Sequence, residues 1–229
     1  MSDTVIRIKN VSKVYGTGDA STAALTNVNL TVERGAWLAI MGPSGHGKST
    51  LLQIMGGLDR PTAGSIHLDG MELTALAPNA LARARAEEIG FVFQFFNLLP
   101  HLTALENIQM ALWFGGGESN AGKKRALALL DEVGLTGKAH FFPSMLSGGQ
   151  QQRVAIARAL ANEPGVLLMD EPSGNLDSAS EAELLQLLKC LHTEGKTIVM
   201  VTHNAAVATH AQRVVRVKDG RIEEAANAD

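Results

Sequence analysis

Gly42-Pro43-Ser44-Gly45-His46-Gly47-Lys48-Ser49 follows directly on the apolar run Ala36-Trp37-Leu38-Ala39-Ile40-Met41 and leads into Thr50-Leu51-Leu52-Gln53-Ile54-Met55. A short apolar run suits a strand buried on both faces, and the segment after the glycines reads as the first turns of a helix. A strand, a tight glycine-bearing loop and a helix start impose one local geometry. Successive backbone N–H groups and the positive end of the helix dipole converge on a single point, where an anionic phosphate compensates them. In this pattern the glycines permit close approach and Lys48 is a movable cation over the outer phosphates. The Ser49 hydroxyl becomes a ligand for the magnesium ion that bridges them, and Thr50 is placed to hydrogen-bond an inner phosphate.

Composition narrows the class further. The 229 residues, 45% of them apolar, suffice for one large domain or for a core with an inserted lobe. A net charge of −3 carries no nucleic-acid footprint, so no nucleic-acid partner is expected. No apolar run approaches the roughly 18 residues of a membrane span, and Met1-Ser2-Asp3-Thr4 is too polar for a signal peptide, so a soluble, cytoplasmic chain is expected. Cys190 is the single cysteine, which excludes an intramolecular disulfide and points to a reducing compartment. Its leucine-rich helical surroundings predict a small packing residue. The histidines show no close pairing with one another or with Cys190, so no transition metal is expected.

The pattern along the chain is α/β. Val28, Leu30 and Val32 alternate with Asn29, Thr31 and Glu33, the period-two signal of a strand with one wet face. Thr4 to Lys9 and Ser65 to Leu68 read alike, which predicts a small antiparallel sheet beside the phosphate-binding core. Gly165 to Met169 and Thr197 to Val201 are continuous apolar runs of the kind parallel sheets bury. Between them Ser178-Ala179-Ser180-Glu181 matches a capping box, with Leu184, Leu188 and Leu191 on one helical stripe. Residues 88 to 160 read mainly helical. Thr103-Ala104-Leu105-Glu106 is a second capping box, Gly115 to Gly122 a surface loop, and Lys123 to Val133 a helix closed by Gly134. Asp219-Gly220 between Arg213–Val217 and Arg221-Ile222 is a hairpin signal, and Glu223 to Asp229 is expected to fray.

A second glycine-rich element, Leu146-Ser147-Gly148-Gly149-Gln150, precedes Gln151-Gln152-Arg153 and the helical Val154-Ala155-Ile156-Ala157-Arg158-Ala159-Leu160. Serine before two glycines at a helix start again turns a hydroxyl, backbone N–H groups and a dipole toward an anion. Alone it would read as an ordinary serine-capped helix. Joined to the phosphate loop it resembles the signature element of the ABC-type ATPases. The resemblance covers essentially the whole chain and implies a phosphate-loop (RecA-like) core with a parallel sheet, a small antiparallel β part and an inserted α-helical subdomain. The domain would then span 1–229, with core and antiparallel parts in 1–87 and 161–229 and the helical subdomain at about 88–160.

The same resemblance implies roles for further residues. Val166-Leu167-Leu168-Met169-Asp170-Glu171 is similar to a Walker B strand, with Asp170 coordinating magnesium and Glu171 acting as general base on the attacking water. In isolation the two acids would read as a helix cap or a surface pair. Gln94, in Gly90-Phe91-Val92-Phe93-Gln94, resembles the glutamine that senses magnesium and the attacking water. By local sequence alone it could equally be a strand-end glutamine. His203 resembles the switch histidine that contacts the γ-phosphate, where an isolated histidine would read as structural or solvated. Ser173-Gly174-Asn175-Leu176-Asp177 matches the D-loop at a dimer interface. Tyr15, the only tyrosine, stands like the aromatic that stacks on adenine, with plain packing as the other reading.

ATP rather than GTP is expected, because no Asn-Lys-x-Asp guanine-reading motif occurs. The phosphates would be held by Gly42 to Thr50 in one copy and by Ser147, Gly148, Gly149 and Gln150 in another, giving an ATP-dependent head-to-tail dimer. Magnesium would take Ser49, Gln94 and Asp170 as ligands. Gly57-Leu58-Asp59-Arg60-Pro61, Gln94 to Pro100, Thr103 to Asn107 and Gly174 to Asp177 are similar to the lipoprotein-release and macrolide-efflux branch, whose partners are separate transmembrane permeases. That would hold the chain at the cytoplasmic face of the membrane. A soluble ABC-type ATPase not coupled to transport is the alternative. His46 and Ser173 depart from the usual small residue and threonine, and His46 bears on nucleotide affinity and its pH dependence.

Overall fold

The computed structural model describes residues 3–116 and 119–223. In chain order the strands are β1 (Thr4–Tyr15), β2 (Thr22–Glu33), β3 (Trp37–Met41), β4 (Ala63–Leu68), β5 (Met71–Glu72), β6 (Ile89–Phe93), β7 (Val166–Asp170), β8 (Thr197–Val201), β9 (Arg213–Lys218) and β10 (Arg221–Glu223). The helices are α1 (Lys48–Met55), α2 (Pro78–Glu88), α3 (Ala104–Phe114), α4 (Ser119–Glu132), α5 (Gly148–Ala159), α6 (Ser178–Thr193) and α7 (Ala205–Ala208). The chain divides into two compact units, Met1–Leu81 with Gly195–Asp229, and Ala82–Glu194.

In the first unit β2, β1, β4 and β5 form an antiparallel sheet in that order. Ile6, Ile8 and Val11 of β1, Val28, Leu30 and Val32 of β2, and Ile66 and Leu68 of β4 bury its apolar face. Both β1 and β2 run beyond the alternating segments that announce them. Register shifts between Ile8 and Val11 and between Val11 and Lys13 interrupt the period of two, and Asn10 (φ 50°) and Asn27 (φ 48°) take the left-handed backbone that asparagine tolerates. Strand β3 lies between β8 and β9 and is parallel to both, with Leu38 opposite Val199 and Ile40 opposite Val215. Leu38, Ala39, Ile40 and all of Ile198–Val201 are buried, as continuous apolar runs require. Asp219 (φ 48°) and Gly220 (φ 70°) make the expected tight hairpin between β9 and β10. Glu223 belongs to β10 rather than to a frayed tail, because it pairs with Arg216, and residues 224–229 lie outside the described residues.

In the second unit β6 and β7 pair in parallel, Phe93 opposite Asp170. Helices α3, α4 and α5 pack together through Ile108, Leu112, Ala126, Leu129, Leu130, Val154 and Ala157, all buried. The capping box that opens α3 is present in full: Thr103 accepts from the Glu106 amide while the Glu106 carboxylate accepts from the Thr103 amide. Asn107, 1% exposed, accepts from the Leu99 amide and donates to the carbonyls of Leu99, Leu102 and Thr103, which fixes the loop before that helix.

Three local expectations are corrected here. Helix α4 begins at Ser119 instead of Lys123, since Gly122 is buried beside Leu112 and packing overrides its low helical propensity; Gly117 and Glu118 of the expected loop lie outside the described residues. Helix α6 is capped by Asp177, whose carboxylate accepts from the Ser180 amide, one residue before the expected Ser178. Cys190 is exposed, because it falls off the stripe that buries Leu184, Leu188 and Leu191. Among the described residues no helix is long and apolar enough to cross a membrane.

Candidate functional site

In the first unit β3 ends at Met41, and the loop 42–47 delivers the chain to α1, whose N-cap is Gly47 with φ 97°. A side chain there would collide with backbone, since a Cβ would lie 2.4 Å from the Ala24 carbonyl oxygen. The first amides of α1 have no acceptor within the helix, so loop and helix together present donors to one point. Lys48 is 7% exposed and folds back over the loop, its ammonium donating to the carbonyl oxygens of Gly42 (2.8 Å) and Pro43 (2.9 Å). A buried cation held by neutral carbonyls is a charge-assisted donor ready for a stronger anionic acceptor.

Two further predicted residues gather at this loop. His203 follows β8 and lines a cleft of about 350 Å³ with Gly42, Pro43, Arg216 and Lys218. Tyr15, at the end of β1, hydrogen-bonds the Thr50 side chain next to Ser49 and donates to Asp59 Oδ2 at 2.7 Å. Its ring is 42% exposed and carries the Lys13 ammonium 4.7 Å from its centre. Burial, and then the Asp59 hydrogen bond, raise the Tyr15 hydroxyl above its usual range. Asp59 is pushed up by burial, but Lys13 (2.6 Å), Tyr15 and the Arg60 amide outweigh this and hold its carboxyl below the usual range. In the sequence Asp59 stands out only as part of the run Gly57-Leu58-Asp59-Arg60-Pro61. Its function as the anchor of Tyr15 depends on partners 44 and 46 residues away, which no local pattern signals.

In the second unit, the paired ends of β6 and β7 set Gln94 and Glu171 one residue beyond the Phe93–Asp170 pair. Glu171 breaks from the strand with φ 48°, a conformation that costs a residue with a Cβ about 1–2 kcal/mol. The turn closes through the Gly174 amide on the Glu171 carbonyl (3.0 Å). Gly174 leaves room for the Gln94 side chain, since a Cβ would sit 2.8 Å from Gln94 Nε2 and displace that amide. Asn175 Nδ2 donates to the Gln94 carbonyl, and Gln152 Nε2 donates to the Pro172 carbonyl at 2.8 Å. Gln94, Asp170 and Glu171 thus form one cluster.

The serine element stands close to that cluster. Ser147 is the N-cap of α5, with its Oγ accepting from the Gln150 amide and the Gln150 Oε1 accepting from the Ser147 amide. This reciprocal cap leaves the Ser147 hydroxyl proton as a donor alongside the first amides of α5. The would-be Cβ of Gly148 lies 3.7 Å from the Asn175 carbonyl. Arg158, at the other end of α5, donates to the carbonyls of Phe96 and Asn97, both in left-handed backbone (φ 60° and 49°). Burial lowers the Arg158 pKa, yet guanidinium remains a cation and clamps the loop after Gln94. Nothing in the sequence distinguished it from a surface arginine in a last helical turn.

The comparisons with known proteins agree with this geometry. A family model described as ABC transporter matches residues 25–174. The chain belongs to that family. An uncharacterized ABC transporter ATP-binding protein of Thermotoga maritima is 49% identical over 219 residues, covering 96% of this chain and 94% of that protein. MacB of Escherichia coli, a macrolide export ATP-binding/permease protein, is 48% identical over 218 residues, 95% of this chain but only 34% of MacB. A structure of the ATP-binding cassette MJ0796, described as dimeric and in a post-hydrolysis state bound to ADP and Pi, matches with a TM-score of 0.90 at 47% identity, covering 97% of this chain and 98% of that one. Within the ABC transporter family this chain is therefore an ATP-binding ATPase cassette.

Proposed function

We propose that two copies of this cassette close head to tail around ATP, the phosphates gripped by residues 42–50 of one copy and by Ser147, Gly148, Gly149 and Gln150 of the other, and that this closure drives a separate transmembrane permease. The observation that carries the reading is that a single chain presents two helix starts built for anions, one opening at Lys48 and one at Gly148. The dimeric MJ0796 cassette and the permease fused in MacB support it. Residues 1–229 act as one ATP-binding domain, with a helical subdomain at about 88–160.

In the proposed cycle Lys48 turns from the Gly42 and Pro43 carbonyls to the outer phosphates. Tyr15 stacks on adenine while Asp59 and Thr50 hold its hydroxyl. His203 contacts the γ-phosphate, and Glu171 accepts a proton from the attacking water as the bond to the γ-phosphorus forms and the bond to ADP breaks. The hydroxyl of Ser49, the carboxylate of Asp170 and the amide oxygen of Gln94 are hard oxygen donors of the type magnesium takes. That ion, when bound, would neutralise charge on the β- and γ-phosphates.

The second unit also bears an apolar surface suited to the permease. Phe95, Trp113 and Phe114 are 72%, 67% and 68% exposed, and Phe114 lines a cleft of about 310 Å³ with Phe91, Phe93, Ala111 and Asn162. Contact there would place the permease against the loop that carries Gln94 and keep the cassette at the cytoplasmic face of the membrane, in an export or lipoprotein-release system.

Gel filtration of Glu171→Gln tests the core of the reading. A dimer should appear with ATP and vanish without it, with turnover lost and ATP binding kept. A monomer under both conditions with undiminished turnover overturns it.

A further inference from the structure

His46 occupies the one position of the phosphate loop whose side chain departs from the small residue the family favours, and the structure gives that side chain a partner. Its Nδ1 lies 2.9 Å from the Asp219 amide nitrogen and 3.0 Å from Asp219 Oδ1. Asp219 is the first residue of the β9–β10 turn. The next residue, Gly220, donates its amide to the His46 carbonyl (3.2 Å) and accepts from the Thr26 amide of β2 (2.8 Å). The loop, the β9–β10 turn and the middle of β2 are therefore joined by consecutive hydrogen bonds, and the only side chain in this chain of bonds is the imidazole.

We propose that His46 is a positioning residue, which latches the phosphate loop to the β9–β10 turn and so presets the loop amides for the phosphates of ATP. The main-chain link from Gly220 fixes one point of the loop and leaves rotation about it open. The second link, from Asp219 to the ring, removes that rotation. In the neutral ring either tautomer keeps a bond to Asp219: with its hydrogen on Nε2, Nδ1 accepts from the Asp219 amide at 2.9 Å, and with its hydrogen on Nδ1 the ring donates to Asp219 Oδ1 at 3.0 Å. Glycine, alanine or serine at this position would reach neither atom.

The inference rests on residues 42–50 binding ATP, and the test separates the two. Equilibrium titration with a fluorescent ATP analogue should show His46→Ala weakening binding by about three- to tenfold, the worth of one hydrogen bond. His46→Asn, whose Oδ1 stands where Nδ1 did and accepts from the same amide, should restore it, with melting temperatures without nucleotide showing that all variants fold. Unchanged affinity in His46→Ala, or failure of Asn to rescue, would each overturn the latch. Lys48→Ala is the control: if it loses binding while His46→Ala does not, the latch alone falls, and if it binds like wild type, the ATP-site reading falls with it.

Discussion

The side chain of Asn175 donates to the main-chain carbonyl of Gln94 at 2.9 Å, joining two loops 81 residues apart in sequence. Gln94 is thereby registered against the turn that carries Glu171, and Gly174 leaves space for its amide.

Asn175→Asp removes the donor while keeping size and shape. Turnover should fall by about five- to tenfold, the equivalent of one lost hydrogen bond at the reacting end of the site, and ATP affinity should stay within about twofold. Steady-state hydrolysis combined with a binding titration checks this, and an equal loss in both would assign Asn175 to binding instead.

Asp59 links pH to stability through Lys13 and Tyr15. Its folded-state carboxyl titrates below the ordinary value of 3.8, so its stabilising contribution is complete above that value and disappears as pH falls through the folded-state one. Asp59→Asn should cost about 1 kcal/mol at pH 7, and the gap between variant and wild type should close on acidification below about pH 4. Thermal melts across that range are the measurement; a gap that widens in acid contradicts the sign.

Trp113 and Phe114 pack against one another at the exposed end of α3, their ring centres 5.2 Å apart and their planes tilted by 59°. Replacing both by serine should leave the isolated cassette's melting temperature and ATP affinity unchanged, because neither ring is part of the buried core. Co-purification with the permease from membranes should drop by an order of magnitude or more, as loss of a two-aromatic anchor entails about 2 kcal/mol or more. Undiminished recovery of the permease would move the docking surface elsewhere.

Features written in neighbouring residues were legible in the sequence. The Thr103 capping box, the Asp219-Gly220 hairpin and the buried runs of β3, β7 and β8 each require only a few adjacent side chains of the right kind. The cap of α6 was displaced by one residue because Asp177 and Ser178 both carry capping oxygens, and only the approach of the chain decides between them. Strands β1 and β2 outran their alternation because bulges at asparagines shift the register without ending the pairing. The contacts that steady the candidate site were invisible for a different reason. Arg158 with Phe96 and Asn97, Asp59 with Lys13 and Tyr15, and His46 with Asp219 are pairings set by topology, and each partner alone has the character of an ordinary surface residue.

The left-handed backbone at Glu171 limits replacement there from two directions. Aspartate, asparagine and glycine accept such a conformation with least penalty, yet each stops short of the reach that a second methylene gives a carboxylate. Residues with that reach but branching at Cβ are refused by the turn itself. The position therefore tolerates an uphill conformer in exchange for side-chain length, and glutamine is the replacement that keeps both that length and the carboxylate's shape while lacking the charge required of the proposed base.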